Sequence, residues 1–183
     1  MRLRGKALKK IAATRGVTRE QLAAAIERTG MKGDNALKSV NNWMNDVNHP
    51  RARAEDVRKI SAALNTPMKD FVSFTSMIRN HRGSPRKVKL LVDLIRGKKV
   101  DDAIQMLNFT TKRAAVNVKR CLDAAIADAE QADADVTTLV VTESRVDDGP
   151  RMKRFQPKDR GRAHSIIKRF AHITISVEEK TRR

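Results

Sequence analysis

Between Pro150 and Phe170 stand eight lysines and arginines, Arg151, Lys153, Arg154, Lys158, Arg160, Arg162, Lys168 and Arg169, against one acid, Asp159. Side chains of this kind at this density bind phosphates. Guanidinium groups offer bidentate contacts, and counterions released from a polyanion drive association. Pro157 and Gly161 sit near the middle of the run and mark a turn. After it, Ile173, Ile175 and Val177 alternate with His172, Thr174 and Ser176, a strand pattern. Before it, Val136 to Arg145 is β-branched and apolar around Leu139, Val140 and Val141. The segment therefore reads as a hairpin with its base in a folded domain and its tip far outside. Asp147 to Lys158 spans eleven residue-to-residue steps, a reach of about 36 Å at roughly 3.3 Å each. An isolated two-stranded ribbon is marginal in water, and this one repels itself, so a surrounding polyanion is needed to hold it. The alternative is a disordered basic loop, against which the flanking strands argue.

Other reactive groups do not converge in the sequence. His49, His81, His164 and His172 are scattered. His164 and His172 share a strand face but stand roughly 26 Å apart, too far to share a metal. No Gly-rich loop ends in GKS or GKT. Asp147-Asp148 and Glu178-Glu179 are adjacent pairs at turn and terminal positions, and Asp101-Asp102 opens a helix, where the backbone dipole favours acids. Neither catalysis nor a cofactor or metal is expected. The lone cysteine, Cys121, leaves no internal disulfide and reads as a small buried side chain in a reducing cytoplasm. Five Phe, one Trp and no Tyr supply few stacking platforms, and most of these look structural, so RNA binding is expected to run through phosphates and shape.

Composition agrees. The 183 residues carry a formal charge of +18, which points to nucleic acid or another anionic surface. Up to Asp70 there are 15 basic and 7 acidic residues, and after it 24 and 14, so both parts are basic. No run approaches the length of a membrane span, and the amino terminus has no apolar signal core. It lacks acids until Glu20, as a presequence would, but it is poor in serine and flows directly into a patterned helix.

The elements that position the basic run fall into two parts. Residues 1–70 read as a small all-α unit. Leu8, Ile11 and Ala12 mark a first helix ended by Gly16, and Thr18 with Gln21 forms a capping-box start to a second bearing Leu22, Ala23 and Ile26. A third helix is expected from Asn35 to Asp46 and a fourth from Ala54 to Leu64, with a short piece after Pro67. Residues 71–183 read as a second domain. Phe71 to Arg79 is a strand, and Ser84-Pro85 starts a helix whose inner stripe is Val88, Leu91, Val92 and Ile95. Ile104 and Leu107 face inward from a second helix. A third helix runs from Thr111 to Ala132, with Ala114, Val118, Leu122 and Ile126 inside and Lys112, Arg113, Lys119 and Arg120 off that face. The expected fold class is α+β: three helices packed on a small antiparallel sheet, with a long protruding basic β-hairpin at about 145–170, preceded by the separate all-α domain.

The stretches SPRKVKLLVDLIRGKKVDDAI, TTKRAAVNVKRCLDAAIADAE and GPRMKRFQPKDRGRAHSIIKRFAHITISV resemble the large-subunit ribosomal protein twenty-two family, bacterial type, in order and spacing. The likeness covers about residues 75–179. It implies a structural constituent of the large ribosomal subunit whose partners are large-subunit rRNA, neighbouring large-subunit proteins and the nascent peptide, with no membrane and no homo-oligomer. It implies a globular domain near the exit of the peptide tunnel, and a hairpin that threads inward, aids assembly and lines the tunnel. Arg82, Arg86, Lys87, Arg96, Lys98 and Lys99 would contact rRNA from the globular part, together with the eight arm cations. Met152, Lys153, Arg154, Pro157, Lys158, Asp159, Arg160 and Gly161 would line the tunnel, the first three matching a segment linked in the family to macrolide sensitivity. Asp159 replaces a residue usually small there, and Lys158 replaces a common arginine, weakening bidentate contacts.

Residues 1–70 lie outside that likeness. Gly16-Val17-Thr18, Glu20 to Ala23, the tryptophan, Pro50, Ile60 to Leu64 and Pro67 resemble a phage-repressor-type helix-turn-helix domain, although Leu22 to Trp43 is about seven residues too long for a tight one. If that unit reads nucleic acid, Lys38, Ser39, Asn41 and Asn42 are the expected exposed contacts, and the chain would be a bifunctional nucleic-acid-binding regulator. Otherwise it is a basic appendage that packs on something else.

Overall fold

The computed structural model describes residues 1–180. The fold is α+β, with seven helices and a four-stranded antiparallel sheet among the described residues. Two compact units are distinct: Met1–Phe74 with Asp128–Asp135, and Thr75–Ala127 with the chain from Val136 onward.

In the first unit, β1 (Arg2–Leu3) pairs antiparallel with the opening residues of β2 (Val72–Arg82), Arg2 opposite Ser73 and Leu3 opposite Val72. Helix α1 (Gly5–Arg15) ends at Gly16, whose positive φ of 67° lets its N–H turn back onto the last carbonyls. Helix α2 (Arg19–Ala25) begins with the expected reciprocal cap between Thr18 and Gln21. Helices α3 (Asp34–Met44) and α4 (Ala54–Leu64) complete the layer around Leu8, Leu22, Ile26, Val40, Trp43, Ile60 and Leu64, all nearly inaccessible. The third helix thus starts one residue earlier than the expected 35–46, and it ends earlier because Asp46 takes a positive φ and its carboxylate accepts the Gly5 N–H at 2.6 Å.

In the second unit, α5 (Pro85–Ile95), α6 (Val100–Phe109) and α7 (Ala115–Glu130) accompany β2, β3 (Leu139–Pro157) and β4 (Ala163–Glu179). Beyond Phe74, β2 lies beside β4, and β4 pairs with β3. Val88, Leu91, Val92 and Ile95 are buried as their spacing requires. Proline does stand at the first position of α5, but the Ser84 side chain makes no capping bond. Helix α7 is shorter than the expected 111–132. The chain turns before it, with Ala115 N–H bonded to Lys112 C=O, so Ala115 rather than Ala114 opens the buried stripe.

Strand β4 departs from a simple two-faced alternation. Ile173, Ile175 and Val177 are inaccessible, but Thr174 and Ser176 are also only 3% and 2% exposed. A central strand has neighbours on both edges, whose side chains cover its polar face. Thr75 and Ser176 share a hydrogen bond at 2.8 Å. Arg145, opposite Thr174, reaches across that face to Glu143 at 3.5 Å and to Asp147 at 3.4 Å.

Candidate nucleic-acid interface

Strands β3 and β4 stay paired from Leu139↔Glu179 to Pro157↔Ala163. The register slips between Asp148 and Arg151, where Gly149 and Pro150 oppose the single residue Phe170. This bulge marks the change from domain to arm. Ala171, opposite Asp148, is inaccessible, whereas residues 150–165 are all exposed. A bulge adds local twist and re-aims a strand, so its place here directs the ribbon away from its own core.

The register assigns each arm side chain to a face, because directly opposed residues of an antiparallel pair share one. Arg151, Lys153, Phe155 and Pro157 lie on one face with Arg169, Ile167, Ser165 and Ala163. Met152, Arg154 and Gln156 lie on the other with Lys168, Ile166 and His164. Both faces are cationic, and both interleave charge with apolar surface. Phe155 is 76% exposed and Ile167 52%, set diagonally on the first face. Phe155 and Phe109 are exposed aromatics outside the expected structural majority, while Phe71, Phe74 and Trp43 are buried.

At the tip, Lys158 N–H bonds to Arg162 C=O at 2.7 Å and Arg162 N–H to Asp159 C=O at 3.2 Å. Between them a single 3₁₀ turn, Asp159–Gly161, places Arg160 at φ 54° and Gly161 at φ 71°. The left-handed region suits glycine and strains arginine slightly, so the tip is a tight turn displaying its side chains outward. Among the described residues Arg151 alone of the eight arm cations forms an ion pair, with Asp148 at 3.7 Å and on the exposed surface. Such a pair contributes little. The arm's charge is thus unspent within the chain.

The globular cations are divided. Arg82, Arg86, Lys87, Lys98 and Lys99 are exposed. Arg96 is exposed too but partly engaged: it pairs with Asp93 at 2.8 Å and donates to Ser144 C=O. Arg82 and Lys87 also line a cavity with His81, Lys112 and Arg113, three residues outside the expected set. Lys112 and Arg113 carried one legible signal, their position off the buried stripe of the helix. The Asn117 amide donates to His81 Nδ1 at 2.8 Å, and burial, with Arg113 as a smaller cause, holds the imidazole below its usual pKa.

In the first unit, Lys38 is exposed on α3, while Asn41 and Asn42 are half-buried. Asn41 accepts from Arg19 at 3.3 Å and Asn42 donates to His49 C=O at 2.8 Å. The expectation of an exposed Ser39 is corrected. It is 4% exposed, its hydroxyl donating to Asn35 C=O at 2.7 Å, because its position falls on the helix face that packs inward. Among the described residues no three His, Cys, Asp or Glu side chains gather as metal ligands.

Residues 76–178, more than half of the chain, match the family model described as ribosomal protein L22p/L17e. The match contains β2 from its fifth residue, all three helices of the second unit and the whole arm.

Proposed function

The chain belongs to the ribosomal protein L22p/L17e family and is accordingly a large-subunit ribosomal protein that binds rRNA; from that premise we propose that its arm threads between rRNA segments and reaches the nascent-peptide tunnel. One observation carries this reading. The ribbon is hydrogen-bonded out to Pro157↔Ala163, yet residues 150–165 bury nothing and seven of its eight cations lack a carboxylate partner among the described residues. A polyanion on both sides supplies the missing countercharge, and displaced counterions favour the complex. Met152, Lys153, Arg154 and the tip from Pro157 to Gly161 then line the tunnel and meet nascent peptide. Asp159 faces the lumen, where an acid is solvated rather than set against phosphate. Arg82, Arg86, Lys87, Lys98 and Lys99 hold the domain on rRNA, and ordering of the rRNA around the arm aids subunit assembly in the cytoplasm.

Residues 1–70 act in this reading as a basic appendage against rRNA or a neighbouring protein of the same subunit. The shielding of Ser39 and the internal bonds of Asn41 and Asn42 support an appendage over a reader of sequence.

The test is sedimentation of the tagged chain after a wash in about 1 M salt, where the screening length is roughly 3 Å. A threaded arm remains stoichiometric with large subunits. Release into the soluble fraction would mean peripheral, purely electrostatic binding and would sink the threading.

A further inference from the structure

A cavity of about 660 Å³ opens in the second unit where β2 turns into α5 and where the chain approaches α7. Arg82, Lys87, Lys112 and Arg113 stand around it with the His81 imidazole, and no carboxylate lines it. Val88, Leu90 and Ala114 give it an apolar wall beside Gly83 and Ser84, and Leu90 is 59% exposed there. A phosphate backbone alone requires only a flat cationic patch. A concave site that sets cations beside an apolar wall requires a ligand with an anionic end and a flat, weakly polar body.

We propose that this cavity takes a single unstacked ribonucleotide of the large-subunit rRNA, its phosphate between Arg82, Lys112 and Arg113 and its base against Leu90 and Ala114. The proposal rests on the rRNA-binding reading of the chain and adds the form of RNA that the domain selects. The volume falls within the roughly 300–1,000 Å³ of small-molecule sites, room for one nucleotide. Sequence-specific RNA recognition largely targets such splayed-out bases, which stack on aromatic rings or Arg guanidinium planes; here the Arg82 and Arg113 guanidinium groups lie beside the Leu90 and Ala114 wall. His81 is arranged to help. Because the Asn117 amide donates to Nδ1, the ring proton sits on Nε2, leaving a neutral donor for a phosphate or ribose oxygen. Gly83 leaves the ring room, since a Cβ there would lie 2.9 Å from that Nε2 and would push the imidazole aside. The Gly83 N–H bonds to Arg169 C=O at 3.2 Å, which ties the cavity rim to the base of the arm.

A free mononucleotide has the same chemistry, and the experiment separates the two sources. The full chain is bound to a large-subunit rRNA transcript and the bases are probed with modifying reagents, for wild type, Leu90→Ser and the exposed pair Lys112→Ala with Arg113→Ala. In parallel, AMP is titrated against the full chain while the His81 ring and Leu90 methyl signals are followed. The expected result is one non-helical nucleotide protected by wild type and left reactive by both variants. Affinity should fall about tenfold, as for loss of one base contact, with the protections due to the arm unchanged. Identical protection by wild type and both variants overturns the proposal. If AMP shifts the His81 and Leu90 signals while no transcript nucleotide depends on these residues, the occupant is a free nucleotide and the rRNA assignment is overturned. If wild type protects nothing on the transcript, the rRNA reading itself fails and takes this proposal with it.

Discussion

Gly149 lies so close to Phe170 that a Cβ built on it would stand 3.0 Å from both the Phe170 carbonyl carbon and its Cβ. The two residues face each other across the bulge where the arm leaves the domain. Glycine here is a matter of room, not of φ, because the crowding atoms include backbone that cannot swing away.

Gly149→Val should therefore widen the strand pair at the arm's root. Overpacking of this kind costs about 1–3 kcal/mol. Hydrogen exchange should rise first at the amides near Asp148 and Ala171, and recovery of the variant in salt-washed large subunits should drop. Unchanged exchange at these amides would mean that Phe170 gives way freely.

Asp56 accepts the Arg53 N–H at 2.9 Å and pairs with Arg28 at 3.4 Å, with its own side chain 1% exposed. Asp56→Ala removes a helix-start acceptor and strands a guanidinium that is only 19% exposed. Breaking a buried pair from one side costs about 3–5 kcal/mol. Thermal unfolding monitored at Trp43, in the same unit, should show it. Asp56→Asn should recover part of the loss by keeping the Arg53 contact.

His81 gives the fold a pH dependence of defined sign. Its folded pKa lies below the ordinary 6.5, first through burial and then through Arg113. The unfolded chain thus binds a proton that the folded chain refuses, so its contribution to stability is complete above pH 6.5 and declines as pH falls below that value. Melting temperature should drop more for wild type than for His81→Gln between about pH 7.5 and pH 5.5. Equal drops would place the titration elsewhere.

Cys121 is inaccessible, and burial pushes its thiol pKa up, while its Sγ sits 3.4 Å from Ser76 C=O. Thiolate is the reactive form. Alkylation of the native protein near neutral pH should be far slower than of the denatured chain, because only the small open population presents the thiol.

Much of this was legible in the sequence because it is local. The Thr18–Gln21 cap, the glycine stop at Gly16, the α4 span and the buried stripe of α5 each depend on residues within a turn or two, so spacing alone specified them. The basic run and its flanking alternation likewise foretold a strand pair, and three motifs carried the family likeness later matched over residues 76–178. Tertiary structure alone decided the rest. Covering the Thr174–Ser176 face required β2 and β3 on both edges of β4, and Thr75 reaches Ser176 across 101 residues of sequence. Where Ser39 points followed from how α3 rolls against its neighbours. The slip opposite Phe170 came from pairing strands that converge beyond the domain. The cavity needed His81 beside residues some thirty positions later, Lys112 and Arg113, and periodicity carries no information about which helix ends meet. Local preference is written in neighbouring residues, whereas convergence is fixed only when the core closes.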